Sequence, residues 1–198
     1  MKKILLLTCL AAARTFKASA QQIAIDKGWK FSIGDSMDWA APGFDDSGWK
    51  PINLAHDWES QGYKGVDGFG WYRLHLTIPS SLKEKAFLKD SLSLVLNDVD
   101  DNDEVYLNGQ LVAKYGGQKG TIKDGNYGPR RYSIAANNPA IHWDKDNVLA
   151  IRIFDTGGSG GLYGDKFTIG MVGLMDSVVI NTDGAFVFGE NNSLSKTI

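Results

Sequence analysis

Gly70-Trp71-Tyr72-Arg73-Leu74-His75-Leu76-Thr77-Ile78 decides the fold class. Tyr72, Leu74, Leu76 and Ile78 alternate with Arg73, His75 and Thr77, so an extended chain puts the apolar set on one face and the polar set on the other. The same period of two returns in Leu92, Leu94 and Leu96, and again in Leu149, Ile151 and Ile153. Between Val105 and Val112, Asn108-Gly109 splits two apolar stretches, the strongest short hairpin signal because both turn residues need positive φ. No window carries a long amphipathic helix; Leu82 to Leu88 allows one or two turns. Short strands separated by glycine, asparagine and aspartate turns predict an all-β, antiparallel β-sandwich.

Composition agrees. The 198 residues are 43% hydrophobic and 22% charged, and fit one domain of ordinary globular character. Glycine is high, at 23 residues or about 12% against a usual ~7%. With five prolines and no low-complexity run, that many glycines indicate tight turns.

The first twenty residues are read apart from the fold. Lys2 and Lys3 precede the apolar run Ile4 to Ala13, and Ala18-Ser19-Ala20 is an A-x-A cleavage signal before Gln21. The run is too short to span a bilayer, which takes about 20 residues, and it lacks the polar face of a buried amphipathic helix. A bacterial-type signal peptide is expected over 1–20, with export to the periplasm or the exterior. Its loss would remove Lys2, Lys3, Arg14 and Lys17 and take the formal net charge from −2 to −6. It would also remove Cys9, the sole cysteine. A thiol nucleophile, a thiolate metal site and a cationic nucleic-acid footprint are thereby excluded from the mature chain.

Three local motifs fail on their chemistry. Gly34-Asp35-Ser36-Met37 resembles the nucleophile block of GDSL-type esterases, which need a histidine three residues after an aspartate. Asn53, Tyr72 and Pro139 stand three before His56, His75 and His142, so the general base is missing. Asp98, Asp100 and Asn102 open like an EF-hand loop, but Asp103 replaces its glycine and Gly109 its final glutamate. Gly157-Gly158-Ser159-Gly160-Gly161 has neither the P-loop lysine nor a following helix. No cofactor and no metal ligand is assigned, while a structural calcium held by oxygens outside that pattern is left open.

Aromatic residues cluster early: Trp29, Trp39, Trp49, Trp58 and Trp71, with Phe31, Phe44, Tyr63, Phe69 and Tyr72 among them. Most are expected in a core, Trp49, Trp71 and Tyr106 included. Trp58, Tyr63 and Tyr163 lie in loops among glycine and polar residues, where a ring can stack on a sugar face while neighbours bind its hydroxyls. Asp45, Asp46 and Ser47 read as a turn bonding local backbone. Arg73 is expected to pair with a carboxylate.

The order of motifs carries a resemblance. Trp29-Lys30-Phe31-Ser32-Ile33-Gly34-Asp35 is followed by Phe44-Asp45-Asp46-Ser47-Gly48-Trp49, Leu54-Ala55-His56-Asp57-Trp58 and Gly70-Trp71-Tyr72-Arg73. Asp100 to Gly109 and Asn147-Val148-Leu149-Ala150-Ile151-Arg152 complete the series. Together they resemble the sugar-binding domain of glycoside hydrolase family 2, a jelly-roll of the galactose-binding-like type. Phe154 to Gly164 also resembles the domain embedded in bacterial sialate O-acetylesterases. The resemblance covers about residues 26–182, giving a domain at 21–182 and a polar tail or linker at 183–198. Enzymes of that family act through two glutamates on a separate (β/α)₈ barrel, for which nothing here has the length. The resemblance therefore implies a non-catalytic, exported carbohydrate-binding module with no catalytic residue, a glycan as partner, and a separate hydrolase domain as a further partner. The competing readings are the front piece of a β-galactosidase-like glycosidase or O-acetylesterase, and a structural docking module. Asp57, Trp58, Tyr63, Tyr163 and Asp165, in the glycine-rich loops 57–69 and 155–167, are the expected carbohydrate-binding residues, with Trp58 either the stacking platform or, in the alternative, a plug for the open end of the sandwich.

Overall fold

The computed structural model describes residues 22–85, 90–116, 128–171, 177–180 and 186–189. The expected signal peptide lies outside them. Thirteen strands are described, with one short α-helix, α1 (Ser81–Lys85), overlapping the window Leu82 to Leu88 where a turn or two was expected.

Two antiparallel sheets form the body. The six-stranded sheet runs β3 (Lys50–Pro51), β2 (Lys30–Ile33), β4 (Gly68–Thr77), β9 (Asp146–Asp155), β6 (Asn102–Leu107), β7 (Gln110–Tyr115). In the five-stranded sheet, β5 (Ser91–Val99) is central. It pairs with β11 (Thr168–Met171) and β10 (Leu162–Tyr163), and also with β8 (Gly128–Ala135), while β1 (Gln22–Ala24) joins β11. The deciding stretch is β4, paired with β9 over its whole ten residues from Gly68↔Asp155 to Thr77↔Asp146. Asn108 and Gly109 turn β6 into β7 with φ of 50° and 84°, the positive values the dipeptide called for.

The sheets face each other through the alternating positions. Phe31, Tyr72, Leu74, Val105, Leu107, Leu149, Ile151 and Ile153 meet Leu92, Leu94, Leu96, Ile134, Leu162 and Ile169 in one core cluster. Each such side chain contributes about 1.5–3 kcal/mol when fully withdrawn from water. A buried polar bridge spans the core as well: Asp103 on β6 accepts from Arg130 Nε at 3.1 Å and from the Tyr132 hydroxyl, both on β8.

The outer face of the six-stranded sheet is not left to solvent. Residues 36–49 fold over it, packing Trp39, Ala40 and Trp49 against Trp71, Tyr106 and Ala150. Arg73, on the polar side of β4, is consequently fully buried. It pairs with Asp46 at 3.0 Å and donates to the carbonyls of Trp39 and Ala41. The expected turn is half right: Asp45 accepts from the Ser47 amide at 2.9 Å, but Asp46 turns inward to Arg73 and to Lys30 at 2.7 Å. Burial alone would raise the Asp46 carboxyl, and the bonds from Lys30 and Arg73 outweigh it and hold the group below its ordinary value.

One compact unit covers Ala20–Gly173, and the hairpin of β12 (Ser177–Ile180) and β13 (Phe186–Gly189) belongs to another. The expected polar tail thus contains a strand, because Phe186-Val187-Phe188 is a run of aromatic and β-branched residues with high strand preference.

Candidate functional site

The two glycine-rich loops do meet. Trp58 N–H donates to the Gly160 carbonyl at 3.2 Å, Gly160 N–H donates to Glu59 Oε2 at 2.9 Å, and Gly164 N–H donates to the Leu54 carbonyl at 2.6 Å. Asp57 accepts from the Ser60 amide at 2.8 Å, and that bond, with the hydroxyls of Ser60 and Ser159, holds its carboxyl below the ordinary range.

Trp58 takes the plug reading rather than that of a stacking platform. Its side chain has no exposed surface, so it offers no face to a sugar. The ring enters the core beside Phe31, centroids 5.4 Å apart, where Tyr63 also packs edge-on against Phe31 at 4.9 Å. The polar neighbours that suggested exposure are engaged elsewhere, Asp57 with Ser60 and Glu59 with Gly160. Room for the indole comes from two glycines: a Cβ on Gly70 or on Gly160 would lie 2.3 Å from a Trp58 ring atom. The glycine run that looked like a ligand loop is there in part to admit this ring. Of the remaining expected residues, Tyr63 and Tyr163 are half-buried and Asp165 is exposed. Among the described residues no group of three or more His, Cys, Asp or Glu side chains is placed to hold a metal ion, so the calcium left open finds no ligand set there.

A different feature has the form of a binding site. A groove of about 560 Å³ opens on the outer face of the six-stranded sheet, beyond the edge of the 36–49 cover, lined by residues that include Asp35, Phe69, Glu104, Lys114, Arg152 and Phe154. Register explains the convergence: Phe69 opposes Phe154, Trp71 opposes Arg152, and Glu104 lies opposite Arg152 on one side and Lys114 on the other. The two phenyl rings lie 4.6 Å apart. Arg152 stands 4.0 Å above the Phe69 centroid, grips Asp35 with Nε at 2.8 Å and Nη2 at 2.6 Å, and reaches Glu104 at 3.0 Å. Trp71 Nε1–H donates to Asp35 at 3.0 Å and the Tyr106 hydroxyl donates to Glu104 at 2.7 Å. The bonds to Asp35, with those to Glu104, hold the Arg152 guanidinium above its ordinary value against the opposing effect of burial. A carboxylate so fixed still has oxygen lone pairs for a further donor, and an aromatic floor beside fixed polar groups is the usual makeup of a small-molecule site.

Asp35, Glu104 and Arg152 all lie in the sequence stretches that carried the family resemblance. No signal in the chain marks them as one site, because they stand 48 to 117 residues apart and meet only through strand register.

No family model matches the chain. It is 28% identical over 137 residues to the beta-galactosidase BoGH2A of Bacteroides ovatus, which covers 63% of this chain and 14% of that protein. It is 30% identical over 123 residues to a putative beta-glucuronidase of Formosa agariphila, covering 56% and 11%. Among solved structures, beta-glucuronidase 2 of Bacteroides uniformis superimposes with a TM-score of 0.55 at 28% identity, over 77% of this chain and 17% of that one. A glycosyl hydrolase family 2 member from Bacteroides cellulosilyticus, at 22% identity and a TM-score of 0.55, supports the fold. The chain spans a small part of each relative's length. These homologues are members of glycoside hydrolase family 2, and the chain matches in them a single stretch consistent with their sugar-binding-type domain.

Proposed function

We propose that this chain is a carbohydrate-recognition module, non-catalytic by itself, which takes a glycan into the groove over Phe69 and Phe154. The observation that carries the reading is the pairing in one groove of phenyl rings with the fixed groups Asp35, Glu104 and Arg152 and with the exposed Lys114. A pyranose has an apolar face of C–H groups and an edge of hydroxyls. The Phe154 ring, beside a Phe69 already covered by Arg152, suits the first, and the carboxylates and Lys114 suit the second. The naming of relatives as a beta-galactosidase and a putative beta-glucuronidase supports a sugar as the ligand class. The sequence pattern of residues 1–20 supports export to the periplasm or exterior. The greater length of the relatives supports a hydrolase domain as partner.

The test is a glycan array on the purified chain, followed by titration of the best glycan against Phe154→Ala, Glu104→Gln and Asp165→Ala. Loss of one stacking or charged hydrogen-bond contact weakens binding by about 1–3 kcal/mol, roughly 5- to 150-fold, in the groove variants. Asp165→Ala retains its affinity. Full affinity in both groove variants with loss in Asp165→Ala moves the site to the loops. Binding to no glycan overturns the reading.

A further inference from the structure

Strand register sorts the groove into two rows. Trp71, Arg152, Glu104 and Lys114 stand side by side across β4, β9, β6 and β7, and Phe69, Phe154 and Asn102 form a second row two residues along the strands. Two residues along a strand are about 6.6 Å, whereas three strand spacings are about 14 Å. The groove is therefore longer across the strands than along them. With bonds near 1.5 Å, one pyranose and its hydroxyls span roughly half that length. The volume of about 560 Å³ likewise falls in the range that takes drug-sized ligands.

The two ends of the groove differ. Trp71 is fully buried under Trp39 of the 36–49 cover, ring centroids 6.1 Å apart. Along the same row the side chains open step by step, from Arg152 at 19% exposed to Glu104 at 33% and then to the exposed Lys114 on the edge strand β7. One end is a wall and the other is a mouth. Exposed Tyr115 lines the mouth, its ring held 3.8 Å from the Arg130 guanidinium. Charge separates the ends as well. At the wall, Asp35 and Glu104 share the single guanidinium of Arg152, at 2.6 and 3.0 Å. Two carboxylates against one cation leave that end net negative and rich in acceptors. At the mouth, Lys114 makes no salt bridge among the described residues.

We propose that the groove takes the end of a neutral oligosaccharide. The terminal sugar lies on Phe154 with its hydroxyls donating to Asp35 and Glu104, the next sugar lies at Lys114 and Tyr115, and the chain leaves over the β7 edge. This inference rests on the glycan reading and adds which part of a glycan, and of what charge, the groove accepts. The interior of a chain does not fit, because the covered Trp71 stops it on one side. A terminal carboxylate or sulfate is disfavoured, because at the wall it would meet two carboxylates whose shared cation is already engaged. Hydroxyls are donors, and bonds to a fixed carboxylate are stronger than bonds between neutral groups.

The test is calorimetric titration of the purified full chain with two sets of sugars, each from one residue to six. One set is neutral, the β-linked gluco-, galacto-, manno- and xylo-oligosaccharides; the other is acidic, the oligogalacturonates. In the neutral series that binds, affinity rises about 2- to 12-fold from one residue to two, the value of one added hydrogen bond, and is level from three onwards. Lys114→Ala, a substitution at an exposed position, removes that rise and leaves the affinity for the single sugar intact. At equal concentration of sugar residues, a long soluble polymer of the same sugar binds more weakly than the trimer, since its ends are few. Affinity that is flat from one residue upward, or that climbs through six, overturns the inference while the glycan reading stands. So do a Lys114→Ala protein that keeps the rise, a polymer that matches the trimer, and tighter binding of the oligogalacturonates than of every neutral series. Binding of neither set overturns the inference too, and the glycan array then shows whether the glycan reading falls with it.

Discussion

Replacing Gly70 by alanine tests whether Trp58 is the plug of the sandwich. Gly70 sits in β4 with ordinary strand φ, so alanine meets no backbone penalty and the whole effect is steric. The new methyl would stand 2.3 Å from Trp58 Cζ3 and 2.9 Å from Phe31 Cε2. Carbon atoms prefer about 3.5–4.0 Å, so the ring must retreat by more than ~1 Å in a close-packed core. Overpacking of this kind costs about 1–3 kcal/mol. Trp58→Ala works the other way, leaving a cavity at a fully buried site at a cost of about 3–5 kcal/mol. That is a fall in Tm of roughly 6–20 °C for a domain of this size. In the double variant the methyl points into vacated space, and the milder approach to Phe31 is relieved by a small ring movement. The cost of Gly70→Ala should then fall to within about 0.5 kcal/mol of zero, a coupling that far exceeds ordinary additivity error. Urea unfolding of the four proteins, followed by far-ultraviolet circular dichroism, gives the cycle. A Trp58→Ala protein that unfolds with the parent, or a Gly70→Ala cost unchanged by removing Trp58, would refute the plug and return the indole to the surface.

Other consequences are simpler to check. Asp46→Asn leaves Arg73 buried without its counter-charge and should cost about 3–5 kcal/mol in denaturant unfolding at neutral pH. Because Asp46 is held below its ordinary value, its contribution is present above about pH 4 and is lost as pH falls through the lowered value, so the variant should show a shallower acid limb of stability. Tyr132→Phe removes a donor to buried Asp103 and should lower stability by about 1–3 kcal/mol, read as a shift in the urea midpoint. The purified chain should turn over chromogenic glycosides and acetyl esters no faster than a buffer blank. Steady turnover abolished by one carboxylate substitution would contradict the non-catalytic reading.

Local signals in the chain marked β4, β5, β9, the Asn108-Gly109 hairpin and the sandwich class, because alternation and turn chemistry act between near neighbours. The family resemblance was legible too, since its motifs are contiguous. What the chain hid was set by register and by layering. Arg73 sits at a polar position of β4, and only the fold of residues 36–49 over that sheet face makes it a buried ion. Trp58 stands between two acids, and local polarity argued for the surface. Three-dimensional structure reversed this: Ser60 and Gly160 engage the acids, and Gly70 and Gly160 open a slot for the ring. The groove residues Asp35, Glu104 and Arg152 were each in plain view, yet their meeting depends on how β4, β9 and β6 are paired. A slot that two glycines open for one indole is a property of a packed interior rather than of any stretch of chain.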